Sequence, residues 1–351
     1  MSDPKKNLTY LSELGEFNLI QRLTENLTIY HKNTIKAVGD DAAVLDFGKD
    51  PIVVTTDMLM EGIHFDLVYT PLKHLGYKAA VVNFSDVYAM NAVPKQLLIS
   101  IAISGKFSIQ ALDEFYAGLR MACDNYRVDI VGGDTSTSLT GMAISITVIG
   151  EVQKEKITYR KGAKEDDLIC VTGDLGSAYL GLQVLEREKK VFLDSKGGQP
   201  SLDEYDYVLK RQLKPEARKD IIEFFNEKGI RPTSMIDISD GLSSELLHIC
   251  TQSGVGCKVY ENKIPIDAQA GKVGKELGME PLICALNGGE DYELLFTIPM
   301  NNYDIIAANS NISIIGHIVD KSQGCNLITH LDQQIPIVAQ GWNAYGNSAN
   351  N

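Results

Sequence analysis

Five times along this chain an apolar, strand-like stretch meets a turn rich in carboxylates. The turns are GDD at 39–41, TTD at 55–57, GGD at 132–134, DISD at 237–240 and GGED at 288–291. A sixth acid, Asp86, lies inside the apolar helical stretch HLGYKAAVVNFSDVYAM (74–90), where an unpartnered charge is costly. Layered α/β proteins place ligands at such strand ends. The pattern therefore calls for strands that all present acids along one rim.

Taken singly, each turn has a simpler reading. Asp after Gly is an ordinary turn former or helix cap, and in DISDGLSSELL either Ser239 or Asp240 suits the cap of the next helix. Together they are harder to set aside. Clustered carboxylates repel and raise one another's pKa unless cations stand between them. Oxygen-rich sites without thiolate and with little His suit Mg²⁺ or Mn²⁺. The stretch AVGDDAAVLD holds no Lys or Arg, so divalent cations are the expected neutralisers of Asp40 and Asp41.

At 351 residues the chain exceeds one ordinary core and predicts two α/β domains, 1–151 and 152–345, with 346–351 as a frayed tail. The first half reads as helix 16–27, strand from 51 with a loop starting at 55–57, helix 74–90, strand 95–103, helix 108–126, strand then loop through GGD, and strand 141–152. The second half reads as strand 167–173 and a helix after it, and a polar loop at 189–206. A helix opening at Pro215, a strand–turn–helix over 234–254, and strands 290–299 and 311–319 follow. The net charge of −13 disfavours binding nucleic acid or an anionic membrane through a basic surface, but metal ions can bridge an acidic site to phosphate. No signal peptide or apolar span is read, which predicts a soluble, cytoplasmic protein. The six cysteines, at 123, 170, 250, 257, 284 and 325, have no metal-finger spacing and read as reduced structural thiols.

Several metals gathered at one site point to phosphoryl transfer, yet GxxxxGK[ST], GxGxxG and the HRD/DFG set are all absent. GDDAAVL, TTDMLMEGIHF, YKAAVVNFSDVYAMNAVP, IVGGDTS, TYRKGAK, VTGDLGSAYLGL, IDISDGLSSELLHI and GGEDYELLFT occur in order between Gly15 and Trp342. In these motifs the chain resembles the thiamine-monophosphate kinase family, within the superfamily of aminoimidazole ribonucleotide synthetase and selenophosphate synthetase.

The resemblance implies an N-terminal domain whose sheet pairs in a homodimer and a C-terminal α/β domain. It implies direct in-line transfer from ATP to thiamine monophosphate, assisted by several Mg²⁺ ions, with no protein base. As metal ligands it implies Asp41, Thr55, Thr56, Asp57, Asp86, Asp134, Asp237 and Asp240. Gly133, Asp134, Arg160 and Ser239 are implied at ATP, and His64, Glu290 and Trp342 at the thiamine substrate. Simpler roles stay open: His64 as a structural hydrogen-bonder, Trp342 as a packing anchor, Arg160 paired with Asp166 or Asp167, and Tyr126 ending its helix rather than flanking adenine. The competing functions are another ATP-dependent synthetase of the superfamily and a binding scaffold without turnover. The first cysteine is Cys123, which argues against a selenophosphate synthetase with its reactive N-terminal Cys.

Overall fold

The computed structural model describes residues 30–37, 39–48, 50–194 and 202–340. In the first half, β1 (Thr34–Lys36), β2 (Ala43–Leu45) and β3 (Ile52–Met60) lead into helix α1 (Leu72–Ala89). Next come β4 (Val93–Ile103), α2 (Ile109–Tyr126), β5 (Asp129–Thr137) and β6 (Ala143–Glu151). These strands form one sheet in the order β1-β2-β3-β6-β4-β5, antiparallel except for the β4–β5 pair.

The second half runs β7 (Leu168–Thr172), α3 (Ser177–Asp194), α4 (Asp206–Leu213), α5 (Lys219–Lys228), β8 (Ser234–Asp237) and α6 (Leu242–Ser253). It continues through β9 (Gly256–Tyr260), α7 (Ala268–Glu276), α8 (Pro281–Asn287), β10 (Leu294–Ile298) and α9 (Tyr303–Ala307). β11 (Ile312–Val319), β12 (Cys325–Ile328) and β13 (Gln334–Pro336) complete it. The second sheet has the order β13-β12-β9-β11-β7-β10-β8. The fold is thus α/β, with two layered sheets.

Helix α1 decides where the acids go. It is apolar on nearly every face, and Leu75, Val81, Phe84, Val87 and Tyr88 are all buried. Each such side chain contributes about 1.5–3 kcal/mol on burial, which offsets the cost of carrying Lys78 and Asp86 on the same helix. One core joins α1 to Val53, Ile146 and Ile99 of the first sheet and to Met235 and Phe296 of the second. The helix is therefore packed between the two sheets.

Several boundaries differ from the sequence reading. The expected loop at Thr55-Thr56-Asp57 is strand: β3 pairs with β6 from Ile52↔Glu151 to Met60↔Ala143. β-Branched Thr suits a central strand, and the pairing carries the acid into the sheet. GGD at 132–134 likewise lies within β5 rather than after it. The expected 189–206 loop is partly helical, since α3 runs to Asp194 and a 3₁₀ turn occupies 203–205 before α4. Pro215 does not open a helix; α5 starts at Lys219, with Arg218 at its cap. The proposed helix at 16–27, Trp342 and the 346–351 tail lie outside the described residues.

Candidate active site

Strand alternation sorts the polar residues of β3. Thr55 and Asp57 point inward with Val53 and Leu59, whereas Thr56, Met58 and Met60 are exposed on the other face. Thr55 Oγ1 donates to Asp86 Oδ2 at 2.6 Å, and the backbone N–H of Asp57 donates to Asn83 Oδ1 at 3.1 Å. From the second sheet, Asp237 ends β8, and its Oδ2 accepts from Ser85 Oγ at 2.7 Å. Asp41 joins from the turn before β2. Carboxylate oxygens of Asp41, Asp86 and Asp237 all lie within 4.8 Å of one another.

This crowding shows in proton affinity. Burial, then Asp57, Asp237 and Asp41, holds the Asp86 carboxyl well above the usual range. Burial and the neighbouring Asp41 do the same to Asp237, and burial lifts Asp57 to about 6. Asp40 is raised too, by burial and then by Asp41. Its Oδ2 has no hydrogen-bond partner and only Lys36 Nζ at 3.5 Å. An all-oxygen donor set with too little positive charge fits a hard divalent cation such as Mg²⁺.

Asp41, for which the sequence reading looks to divalent cations, is paired with Arg160: Nε lies 2.9 Å from Oδ2 and Nη2 2.9 Å from Oδ1, a bidentate pair. Asp40 Oδ1 accepts from the Arg160 backbone N–H at 3.0 Å. The TYRKGAK loop thus grips the GDD turn, across 119 positions of sequence. The simpler alternative, Arg160 against Asp166 or Asp167, does not occur.

The other expected residues lie around this centre. Thr56 turns its hydroxyl outward to Ile146 O and Thr147 Oγ1, both at 3.0 Å, so its side chain is not brought to the cluster. Asp134 pairs in register with exposed Ser100 on the same outward row, and it is also apart from the three-carboxylate group. Beside it, Gly133 is required by packing: a Cβ there would stand 1.8 Å from Ile99 O. Neither Ser239 nor Asp240 caps α6. Gly241 occupies the cap, and buried Glu245 reaches back to accept the Asp240 N–H at 3.0 Å. Ser239 O accepts the Glu290 N–H at 2.7 Å, which ties DISD to GGED. Glu290 faces Lys78 Nζ at 3.2 Å and accepts from Gln212 Nε2 at 2.7 Å. His64 Nδ1 accepts from the Met60 N–H at 2.9 Å and so holds the turn after β3. Tyr126 is buried against Glu216 and Ala217, a structural role.

Sequence reasoning missed Ser85, Asn83, Lys78 and Glu245. A polar residue in an apolar helix was the available signal, and it was applied only to Asp86. It also missed a second ionic cluster. Glu293 lies 3.0 Å from both Arg211 Nη2 and Arg218 Nη1. Asp291 accepts the N–H groups of Gly176 and Ala178 at the start of α3, at 2.8 and 3.3 Å. Asp174 stands 3.7 Å from Arg211 Nε.

The sequence model for the N-terminal domain of AIR synthase related proteins matches residues 39–152. The chain is 34% identical over 295 residues to the thiamine-monophosphate kinase of Aquifex aeolicus (strain VF5), covering 84% of this chain and 89% of that protein. It is 32% identical over 343 residues to that of Bacillus subtilis (strain 168), covering 95% of this chain and all of the other (100%). The solved structure described as AaThiL complexed with AMPPCP and TMP superposes with a TM-score of 0.82 at 30% identity, over 97% of this chain and 100% of that one. The hydrogenase maturation protein HypE in complex with ATP shares the fold, with a TM-score of 0.68 at 21% identity.

Proposed function

The chain belongs to the thiamine-monophosphate kinase family, and from that premise we propose that it transfers the γ-phosphoryl group of ATP directly to thiamine monophosphate. The products are ADP and thiamine diphosphate. The observation that carries this reading is the meeting of Asp41, Asp86 and Asp237 from three separate elements within 4.8 Å. Relatives named for this reaction, and a similar structure holding an ATP analogue and TMP, support it.

The acceptor needs little activation. A phosphate monoester has a second pKa near ~6 and is mostly dianionic at neutral pH. The obstacle is its approach to a polyphosphate, where two unit charges at ~4 Å repel by about 4 kcal/mol at an effective dielectric near 20. Asp41, Asp57, Asp86 and Asp237, with the Thr55 hydroxyl, would hold Mg²⁺, and the family resemblance adds Asp240, in the turn after Asp237. When bound, the ions offset charge on the phosphoryl oxygens and align them. Arg160, which pairs with Asp41, is the cation nearest this group and would lend its guanidinium to the nucleotide phosphates. The family resemblance assigns Gly133, Asp134 and Ser239 to the nucleotide and adds Asp134 and Thr56 to the metal ligands. His64 and Glu290 position thiamine monophosphate, and the family resemblance adds Trp342, outside the described residues, to the same substrate.

The outward face of the first sheet exposes Met58, Met60 and Leu98. We assign it to pairing with a second copy, the homodimer the family resemblance implies. Leu98→Asp should then give a monomer by sedimentation.

The test follows ADP and thiamine diphosphate together from ATP and Mg²⁺, with and without thiamine monophosphate. Equal amounts of both products, abolished by EDTA, are expected. ADP without thiamine diphosphate would assign another acceptor, and no ADP would leave a binding scaffold. His64→Ala should raise KM for thiamine monophosphate more than for ATP; equal effects would remove His64 from the acceptor site.

A further inference from the structure

Three of the six cysteines, Cys250 and Cys257 close in sequence and Cys325 distant from both, meet where helix α6 packs on the second sheet. Cys257 lies in β9 and Cys325 opens β12, directly opposite it in the parallel register. Cys250 reaches them from the last turns of α6. Their three Sγ atoms all lie within 4.8 Å of one another, and all three are free thiols. Cys250 and Cys257 are buried, while Cys325 is partly exposed and gives access from solvent. The surrounding core is apolar, with Ile249, Val259, Ile318 and Leu327. Among the described residues no His, Asp or Glu joins this group.

We propose that Cys250, Cys257 and Cys325 form a three-sulfur binding site for a soft monovalent cation, Cu(I). Thiolate-only donors select soft ions, so the Mg²⁺ that suits the aspartates is not a competitor here. Metal–sulfur bonds of about 2.3 Å in a trigonal plane put the sulfurs roughly 4 Å apart, a spacing this cluster can meet with little movement. Zinc favours four ligands, and this cluster supplies three. Binding breaks S–H bonds, forms Cu–S bonds and releases the protons to buffer; no electron is transferred. The bound ion would fasten α6 to β9 and β12. The same helix accepts the Gly162 and Ala163 N–H groups on Ser253 Oγ, at 3.0 and 3.1 Å, close to the Arg160 loop.

The experiment titrates the reduced full-length chain anaerobically with Cu(I) against a bathocuproine disulfonate competitor. One Cu(I) per chain is expected, with an X-ray absorption shell of sulfur only. Cys325→Ser lies at a partly exposed strand end and should keep the fold. It should weaken retention by more than about tenfold, since even outer-shell partners of a metal cost that much. Cys123→Ser, in the first half of the chain, should retain the ion as wild type does. No retention, retention unchanged by Cys325→Ser, or preferential uptake of Zn²⁺ at these cysteines would each overturn the assignment.

Discussion

Two acidic clusters among the described residues differ in what balances them. Around β10, Asp174, Asp291 and Glu293 face Arg211 and Arg218, and Asp291 also sits on the start of α3. With Asp220 also on Arg218, four carboxylates face two guanidinium groups and the roughly half positive charge of a helix N-terminus, and burial still lifts Asp291 to about 7, so the deficit here is smaller rather than absent. Between α1 and the two sheets, Asp41, Asp57, Asp86 and Asp237 share a single guanidinium, that of Arg160. A counted charge deficit, rather than acidity as such, separates a site that awaits cations from one that holds the fold together.

Substitution can break this contrast. Asp86→Asn should lower turnover by more than about a hundredfold, because even outer-shell partners of a metal cost 10–100-fold. A wild-type rate in that variant would remove Asp86 from the metal set. Glu293→Gln should instead act on stability. It leaves two buried guanidinium groups short of a partner, a loss of about 3–5 kcal/mol by urea denaturation. Metal-free Asp86→Asn should lose none, since it removes repulsion. Equal destabilisation by both changes would mean that the clusters do not differ in kind.

A smaller effect appears in pH. Burial lifts Asp57 to about 6 from an ordinary 3.8, so the folded state holds this proton more tightly than the unfolded chain. Its contribution to stability is full below the unfolded value and is lost as pH rises through about 6. Asp86 and Asp237 shift in the same direction. The melting temperature of the metal-free protein should fall between pH 4.5 and 7, and excess Mg²⁺ should recover most of that loss at pH 7. A metal-free melting curve that instead rises over this range would show that the aspartates are balanced after all.

How much of this was legible in the sequence depends on distance along the chain. The α1 and α2 helices and the β4 and β6 strands follow from local periodicity, and the structure has them within two residues. Asp86 was also legible, because a lone acid in an apolar helix breaks the pattern around it. The faces of Thr56 and Asp134 were not legible, because a motif names residues but not faces. Only the register of β3 and β5 turns these side chains outward. Arg160 against Asp41 and the meeting of Cys250, Cys257 and Cys325 were not legible at all, since each joins segments that no local rule connects.

Helix α1 has one more consequence. Its side chains belong to a core that runs from Val53 in the first sheet to Phe296 in the second. Neither half can loosen without stripping apolar cover from the other. The chain should therefore unfold as one cooperative unit, with a single calorimetric peak, although its sheets follow one another in sequence like two separate proteins. The helix that brings the aspartates together also couples the fates of the two halves.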